Sequence, residues 1–150
     1  MKIWVDADAC PKVIKELLFR VAERTSVTMT LVANQFMFVP ASPHIHSLQV
    51  GSEFNAADDR IAALCEPGDL IITADIPLAA EVVKKGAFAL NPRGDFYDER
   101  NISQLLAMRD MMEHLRGGLM EQGSGGPPPF TAKDREIFAN RLDKFMARTK

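Results

Sequence analysis

Nine residues near the N-terminus, Ile3-Trp4-Val5-Asp6-Ala7-Asp8-Ala9-Cys10-Pro11, constrain this chain more than any other stretch. Strand-forming apolar residues run directly into two carboxylates one residue apart, and a proline then opens a helical pattern. In an open α/β sheet, ligands sit in the crevice beyond the carboxyl ends of the strands. Two acids at such an end raise each other's pKa unless a cation shares the site, because close like charges disfavour joint ionisation. Asp8 has a plainer reading as a cap for the helix entered through Pro11, a common role for aspartate. That reading leaves Asp6, on the strand end itself, without a role.

The remaining pattern alternates strand and helix. Residues 2–6 read as a buried strand and 12–24 as a helix whose apolar face is Ile14, Leu17, Leu18 and Val21. A second strand over 27–33 ends at Asn34, a loop or a short turn of helix with two prolines fills 35–43, and a third strand covers 44–50. Asn55 then caps a helix to Cys65, which Pro67-Gly68 stops. Residues 69–74 form the next strand with Asp75 at its end, and a helix from Ile76 through Lys85 closes at Gly86. A short strand over 87–90 meets the turn Asn91-Pro92-Arg93-Gly94, and a helix over 102–116 follows, with Leu105, Met108, Met112 and Leu115 expected in the core. Such alternation predicts an α/β fold, a parallel sheet with right-handed crossovers flanked by helices.

Two segments are expected: an α/β domain over 1–116, then a Gly/Pro-rich linker and docking helix over 117–150. Thr131 and Asp134 resemble a capping box, and Phe138, Leu142 and Phe145 share one helical face. The face is suited to packing on the chain's own body or on a neighbour's, so a homo-oligomer is one expectation. Its basic residues Lys133, Arg135 and Arg141 are placed to approach the crevice opening.

At 150 residues, 47% apolar and 25% charged, the composition is that of one ordinary globular domain. No apolar run approaches the roughly 18 residues of a membrane span, and Asp6 and Asp8 come too early for a secretory signal. Cys10 and Cys65 lie in no metal-ligand spacing and read as reduced thiols, Cys10 as a small buried apolar residue. A cytoplasmic protein without membrane contact is the expectation. Residues 1–99 carry 9 Lys/Arg against 14 Asp/Glu, and residues 100–150 carry 9 against 6. An acidic body with a basic tail is compatible with phosphate binding across a cation-loaded site.

Asp6 and Asp75 both end core strands on the same sheet edge, and if the first and fourth strands are neighbours the two carboxylates face one crevice. In helix 55–65, Asp58 shares a face with Ile61, Ala62 and Cys65, whereas Asp59 is turned roughly 100° away toward solvent. Asp58 therefore points inward, where an unpaired carboxylate is hard to tolerate. Asp75 has a second reading as the N-cap of the helix after it. Carboxylates without a Cys/His set are the donors that hard cations prefer, so Mg²⁺ or Mn²⁺ is the expected cofactor. Phosphoryl transfer and phosphodiester hydrolysis are the chemistries that use such a cluster.

Val5-Asp6-Ala7-Asp8-Ala9-Cys10-Pro11, the run from Gly68 through Asp75 to Ala79, Asn91-Pro92-Arg93-Gly94, and Gly126 to Phe130 with Asp134-Arg135 together resemble the YaiI/YqxD family. That family is similar to PIN-like domains, whose members are mostly metal-dependent ribonucleases. The resemblance implies a sheet in the order 3-2-1-4-5 and a nuclease acting on RNA, expected to be single-stranded. It matches Asp6, Asp58 and Asp75 to the acidic cluster, with Asp8 as an additional member; these four are the expected catalytic and metal-binding residues. Arg93 is the first candidate for substrate phosphate, followed by Arg60, Lys12 and Asn34. The proline-rich tail and the 91–94 turn are not general PIN features, so RNA does not follow from the likeness alone. Two other readings stand beside this one. A binding module for RNA or protein would keep the cluster without turnover. A haloacid dehalogenase-type phosphatase would use Asp6 as nucleophile and Asp8 as acid, but position 10 is Cys and no lysine is well placed between the acidic motifs.

Overall fold

The computed structural model describes residues 1–53, 55–119 and 129–148. Strand β1 (Ile3–Asp6) is followed by one 3-10 turn (Ala7–Ala9) and helix α1 (Lys12–Thr25). Then come β2 (Met29–Ala33), β3 (Ile45–Gln49), α2 (Ala56–Leu64), β4 (Leu70–Ile72), α3 (Ile76–Lys84) and β5 (Phe88–Leu90). The chain closes with β6 (Phe96–Tyr97), α4 (Glu99–Leu119) and α5 (Ala132–Arg148). The sheet order is β3-β2-β1-β4-β5-β6. All pairings are parallel except β5 with β6.

This is the expected parallel order with one addition. The antiparallel β6 was not legible because two residues are too few to show a period. The turn before it was legible: Asn91 Oδ1 accepts the backbone N–H groups of Arg93 (2.9 Å) and Asp95 (3.1 Å), and Gly94 lies at φ +98°.

The pleat divides the core. Ile3 and Val5 of β1, with Leu31, Leu70, Ile72 and Leu90, face α1 and α5. Trp4, Val32, Ile71 and Ala89 face the other way, with Ile61 of α2, Leu78 and Val82 of α3, and Ile102 of α4. Because β1 and β4 are covered on both faces, they read as continuous apolar runs rather than alternating ones. Asp69, at the opposite end of the sheet from the acids, ties the two cores' central strands. Its carboxylate accepts from the backbone N–H of Lys2 (3.0 Å) and Glu66 (2.9 Å) and from Trp4 Nε1 (3.1 Å).

Helix α5 docks on the chain's own body. Phe138, Leu142 and Met146 are buried beside Ile14 and Leu18 of α1. Phe145 meets the rings of Phe88 and Phe96 at centroid distances of 5.1 and 5.7 Å. Each buried side chain of this kind stabilises by about 1.5–3 kcal/mol before ordering costs. The capping box forms as read: Thr131 Oγ1 accepts from the Asp134 N–H, and Asp134 Oδ2 accepts from the Thr131 N–H.

Helix α4 departs from expectation. Ile102 is buried and Leu105 half-buried, but Met108, Met112 and Leu115 are exposed, as is Met111. Core contact ends after Leu106, so the second half of the apolar stripe is uncovered by any described residue. Helix α4 runs through Leu119, and residues 120–128 of the Gly/Pro-rich segment lie outside the described residues. No described helix is long and apolar enough to cross a membrane.

Candidate active site

The sheet changes direction of winding between β1 and β4, and the acids stand at the carboxyl end of that junction. Asp6 is the last residue of β1 and is buried, with 8% of its surface exposed. Its Oδ2 accepts a hydrogen bond from Thr73 Oγ1 at 3.0 Å, just past β4. Thr73 Oγ1 in turn accepts the backbone N–H of Asp75 at 3.0 Å. One hydroxyl therefore fixes the strand ends that carry both acids. Asp75 also caps α3, accepting the Leu78 N–H at 2.8 Å. Capping uses one carboxylate oxygen and leaves the other available, so its two readings are compatible.

Asp58, in the first turn of α2, faces these two while Asp59 is exposed, as the helical period implied. Partial burial and then the charges of Asp75 and Asp6 push the Asp58 carboxyl up to about 7, where it hydrogen-bonds Asp75. The Asp6 carboxyl is raised too, first by burial, against the opposing Thr73 hydrogen bond, with Asp75 and Asp8 adding to the rise. Burial is the first cause of both shifts, and the neighbouring carboxylates add to it.

Asp8 does not cap α1. That helix enters through Pro11 without a side-chain cap, and Asp8 sits exposed in the 3-10 turn. Its Oδ2 accepts the backbone N–H of Asn34 at 2.9 Å, which joins the end of β2 to the end of β1. Asn34 is thus at the site as expected. With Asp6, Asp8, Glu53, Asn55 and Asp58 it lines a hollow of about 160 Å³. A second hollow of about 310 Å³ lies on the other side of Asp58, bordered by Asp59, Asp75, Glu81 and Arg109. A larger cleft, about 530 Å³, is lined by Asn91, Tyr97, Gln104 and Arg141 and contains none of the four acids. The charge crowding, not the size of an opening, locates the site.

The expected phosphate-binding cations lie apart from the two acidic hollows. Arg93 Nη1 is held by Asp134 Oδ2 at 2.7 Å, and its guanidinium lies 5.8 Å from the Phe130 ring centroid. It clasps the start of α5 to the 91–94 turn. Arg141 likewise donates to the Gly94 carbonyl at 2.8 Å. Arg60 and Lys12 are exposed, and neither lines the two acidic hollows. The cation that does is Arg109 of α4, which sequence reading missed because it stands in a helix assigned only to the core. It pairs with Glu113 at 3.0 Å within its own helix. Thr73 was also missed; a lone hydroxyl between the apolar β4 and Asp75 was the available signal. Cys10 is buried, and burial pushes its thiol up to about 12.

All these donors are carboxylate oxygens, the type that a hard divalent cation takes. Among the described residues no group of three or more His, Cys, Asp or Glu side chains is gathered tightly enough to enclose an ion. Mg²⁺ does not need such a cage, since it keeps several waters and binds through one or two carboxylates. Asp6 and Asp75, with Asp58 beside them, fit that requirement in donor type and charge.

The sequence profile described as "Uncharacterized BCR, YaiI/YqxD family" matches residues 4–148. The chain belongs to the YaiI/YqxD family. A UPF0178 protein of Hahella chejuensis is 58% identical over 149 residues, covering 99% of this chain and 98% of that one. UPF0178 proteins of Syntrophotalea carbinolica and Maridesulfovibrio salexigens are 56% and 55% identical, each covering 99% of this chain and 99% and 97% of their own. No solved structure matches. The family resemblance read from the acidic, Gly-Asp and Asn-Pro-Arg-Gly segments is thereby established over nearly the whole chain.

Proposed function

We propose that this chain is a phosphodiesterase dependent on Mg²⁺ or Mn²⁺, with RNA as its substrate. The observation that carries the reading is the gathering of Asp6, Asp58 and Asp75 at the β1/β4 junction, where Thr73 bridges Asp6 to the Asp75 backbone and Asp58 hydrogen-bonds Asp75; burial first, and then the neighbouring carboxylates, raise Asp6 and Asp58. A fold gains no stability from uncompensated charge at that place, and a cation is the economical reason to keep it. The likeness to PIN-like domains and the strand order support the same reading.

Asp6 and Asp75 would hold the ion, with Asp58 and Asp8 close enough to share it or to hold its waters. The cation supplies positive charge for the phosphate and makes water more acidic. The chain's own residues do the positioning. Thr73 keeps Asp6 and Asp75 in register, and the Asn34 N–H fixes the direction of Asp8. Without added positive charge the hollow would repel a phosphodiester, so activity should vanish in a chelator. Water is the nucleophile, and no covalent enzyme intermediate forms.

Purified protein is tested with Mn²⁺ on labelled single-stranded RNA beside a phosphate monoester. RNA cleavage that Asp6→Asn abolishes, with no monoester turnover, is expected. Monoester turnover through an aspartyl-phosphate on Asp6 would favour the phosphatase reading instead, and neither activity would favour a binding module.

A further inference from the structure

The segment leaving β2 carries two phenylalanines that the packing of the fold does not use. Phe36 is 69% exposed and Phe38 86% exposed. Their rings meet edge to face, 5.0 Å between centroids and 82° between planes. Met37 and Val39 turn the other way and pack against the core on the α1 side of the sheet. The alternation is that of extended backbone, where successive side chains point to opposite faces. The segment is thus pinned from beneath while it displays two rings to solvent.

Its position gives the rings a use. Asn34, two residues before Phe36, lines the acidic hollow and is bonded to Asp8. Two residues span at most about 7 Å of chain, so the pair begins one step from the hollow's mouth. At the far end, Pro40 borders a shallow cleft with Phe19, Arg20, Glu23 and Arg24, where Arg24 pairs with Asp143 at 2.9 Å and Arg20 is exposed. Acidic hollow, paired rings and the exposed Arg20 guanidinium follow one another along the chain from Asn34 to the cleft beside Pro40.

We propose that Phe36 and Phe38 form a stacking platform for unpaired bases of a single-stranded polynucleotide whose backbone enters the acidic hollow. The proposal rests on the phosphodiesterase reading above and gives it a substrate class. Aromatic side chains hold bases of any identity by their faces. In a duplex those faces are already stacked on one another, so a platform of this kind selects single strands. Removing such a ring costs roughly five- to hundredfold in affinity per base.

The test compares a short single-stranded RNA with a strand of equal length in which every site is abasic. Both carry hydrolysis-resistant phosphorothioate linkages and are titrated in Mn²⁺ by fluorescence anisotropy. Hydrolysis of methyl p-nitrophenyl phosphate, a diester too small to reach the rings, is followed in parallel. Wild-type protein is expected to prefer the base-bearing strand by roughly five- to hundredfold. Phe36→Ala with Phe38→Ala should erase that preference and leave abasic-strand affinity and small-diester hydrolysis unchanged. Phe36→Trp with Phe38→Trp should keep it, which separates ring loss from any change in folding.

A wild type without the preference, or an alanine variant that retains it, overturns the platform. So does a wild-type dimer that the alanine variant dissociates without change in strand affinity, since the rings would then serve self-association. Preference lost on ring removal with no small-diester hydrolysis by any form upholds the platform and removes the phosphodiesterase reading. Hydrolysis without any preference does the reverse.

Discussion

Asp58 shows how far a single residue can be read. Helical period alone separated it from Asp59, because one position of helix turns a side chain by about 100°. Its raised pKa then sets the sign of a pH dependence. In metal-free protein the folded state holds the Asp58 proton up to about pH 7, whereas the unfolded chain loses it near the ordinary 3.8. The folded state therefore binds more protons between those values, and stability falls as pH rises through the window. The raised Asp6 carboxyl acts in the same direction. Urea midpoints measured in EDTA should decline from pH 5 to pH 8, and Asp58→Asn should flatten the decline. A wild-type midpoint that rises over that range would contradict the crowding. Arg93 marks the limit of residue-level reading. A guanidinium in a turn after a strand looks like a phosphate ligand, and the fold adds a structural duty, a bond to Asp134 41 positions later. Asp69 is the opposite case, an acid with a structural duty remote from the site. Asp69→Ala would leave the Trp4 indole and two backbone N–H groups without their acceptor. It should cost about 3 kcal/mol in denaturant titrations and leave phosphodiester hydrolysis at low denaturant unchanged.

At the scale of elements, period and punctuation located each parallel strand and every helix, with ends shifted by a few residues. Two features escaped for different physical reasons. Strand β6 is defined by its partner β5 rather than by its own sequence. Helix α4 has a sound apolar stripe, but periodicity reports which side chains share a face and not whether anything covers it; Met108, Met112 and Leu115 stay in solvent. The turn before β6 carries its own constraint. Gly94 adopts φ +98°, and a Cβ built there would lie 2.7 Å from Ile137 Cγ2 and 3.0 Å from the Phe138 nitrogen of α5. Both strain and close approach therefore oppose any side chain. Gly94→Ala should lower the melting temperature by several degrees and increase hydrogen exchange across α5 first, because the new methyl group separates that helix from the turn. Uniform exchange with an unchanged melting temperature would mean the turn and α5 are not mechanically joined.

For the whole molecule, the sheet order is what turns scattered acids into a site. Asp6, Asp58 and Asp75 are separated by 52 and 17 positions along the chain, yet β1 and β4 lie side by side and α2 packs against β1 and α3. The acids and the strand–helix alternation were legible in the sequence and the strand order came from the family resemblance; the Thr73 bridge and Arg109 of the neighbouring hollow required three dimensions. If the cluster exists to hold a cation, binding must stabilise the fold by mass action. The direct measurement is a thermal melt of the wild type and Asp6→Asn across a Mn²⁺ titration. At a metal concentration of about 100 times Kd the gain is about 2.7 kcal/mol, a rise of roughly 5–10 °C for a chain of this size. That rise is predicted for the wild type and should be absent from Asp6→Asn; wild-type curves that superimpose with and without millimolar Mn²⁺ would contradict it.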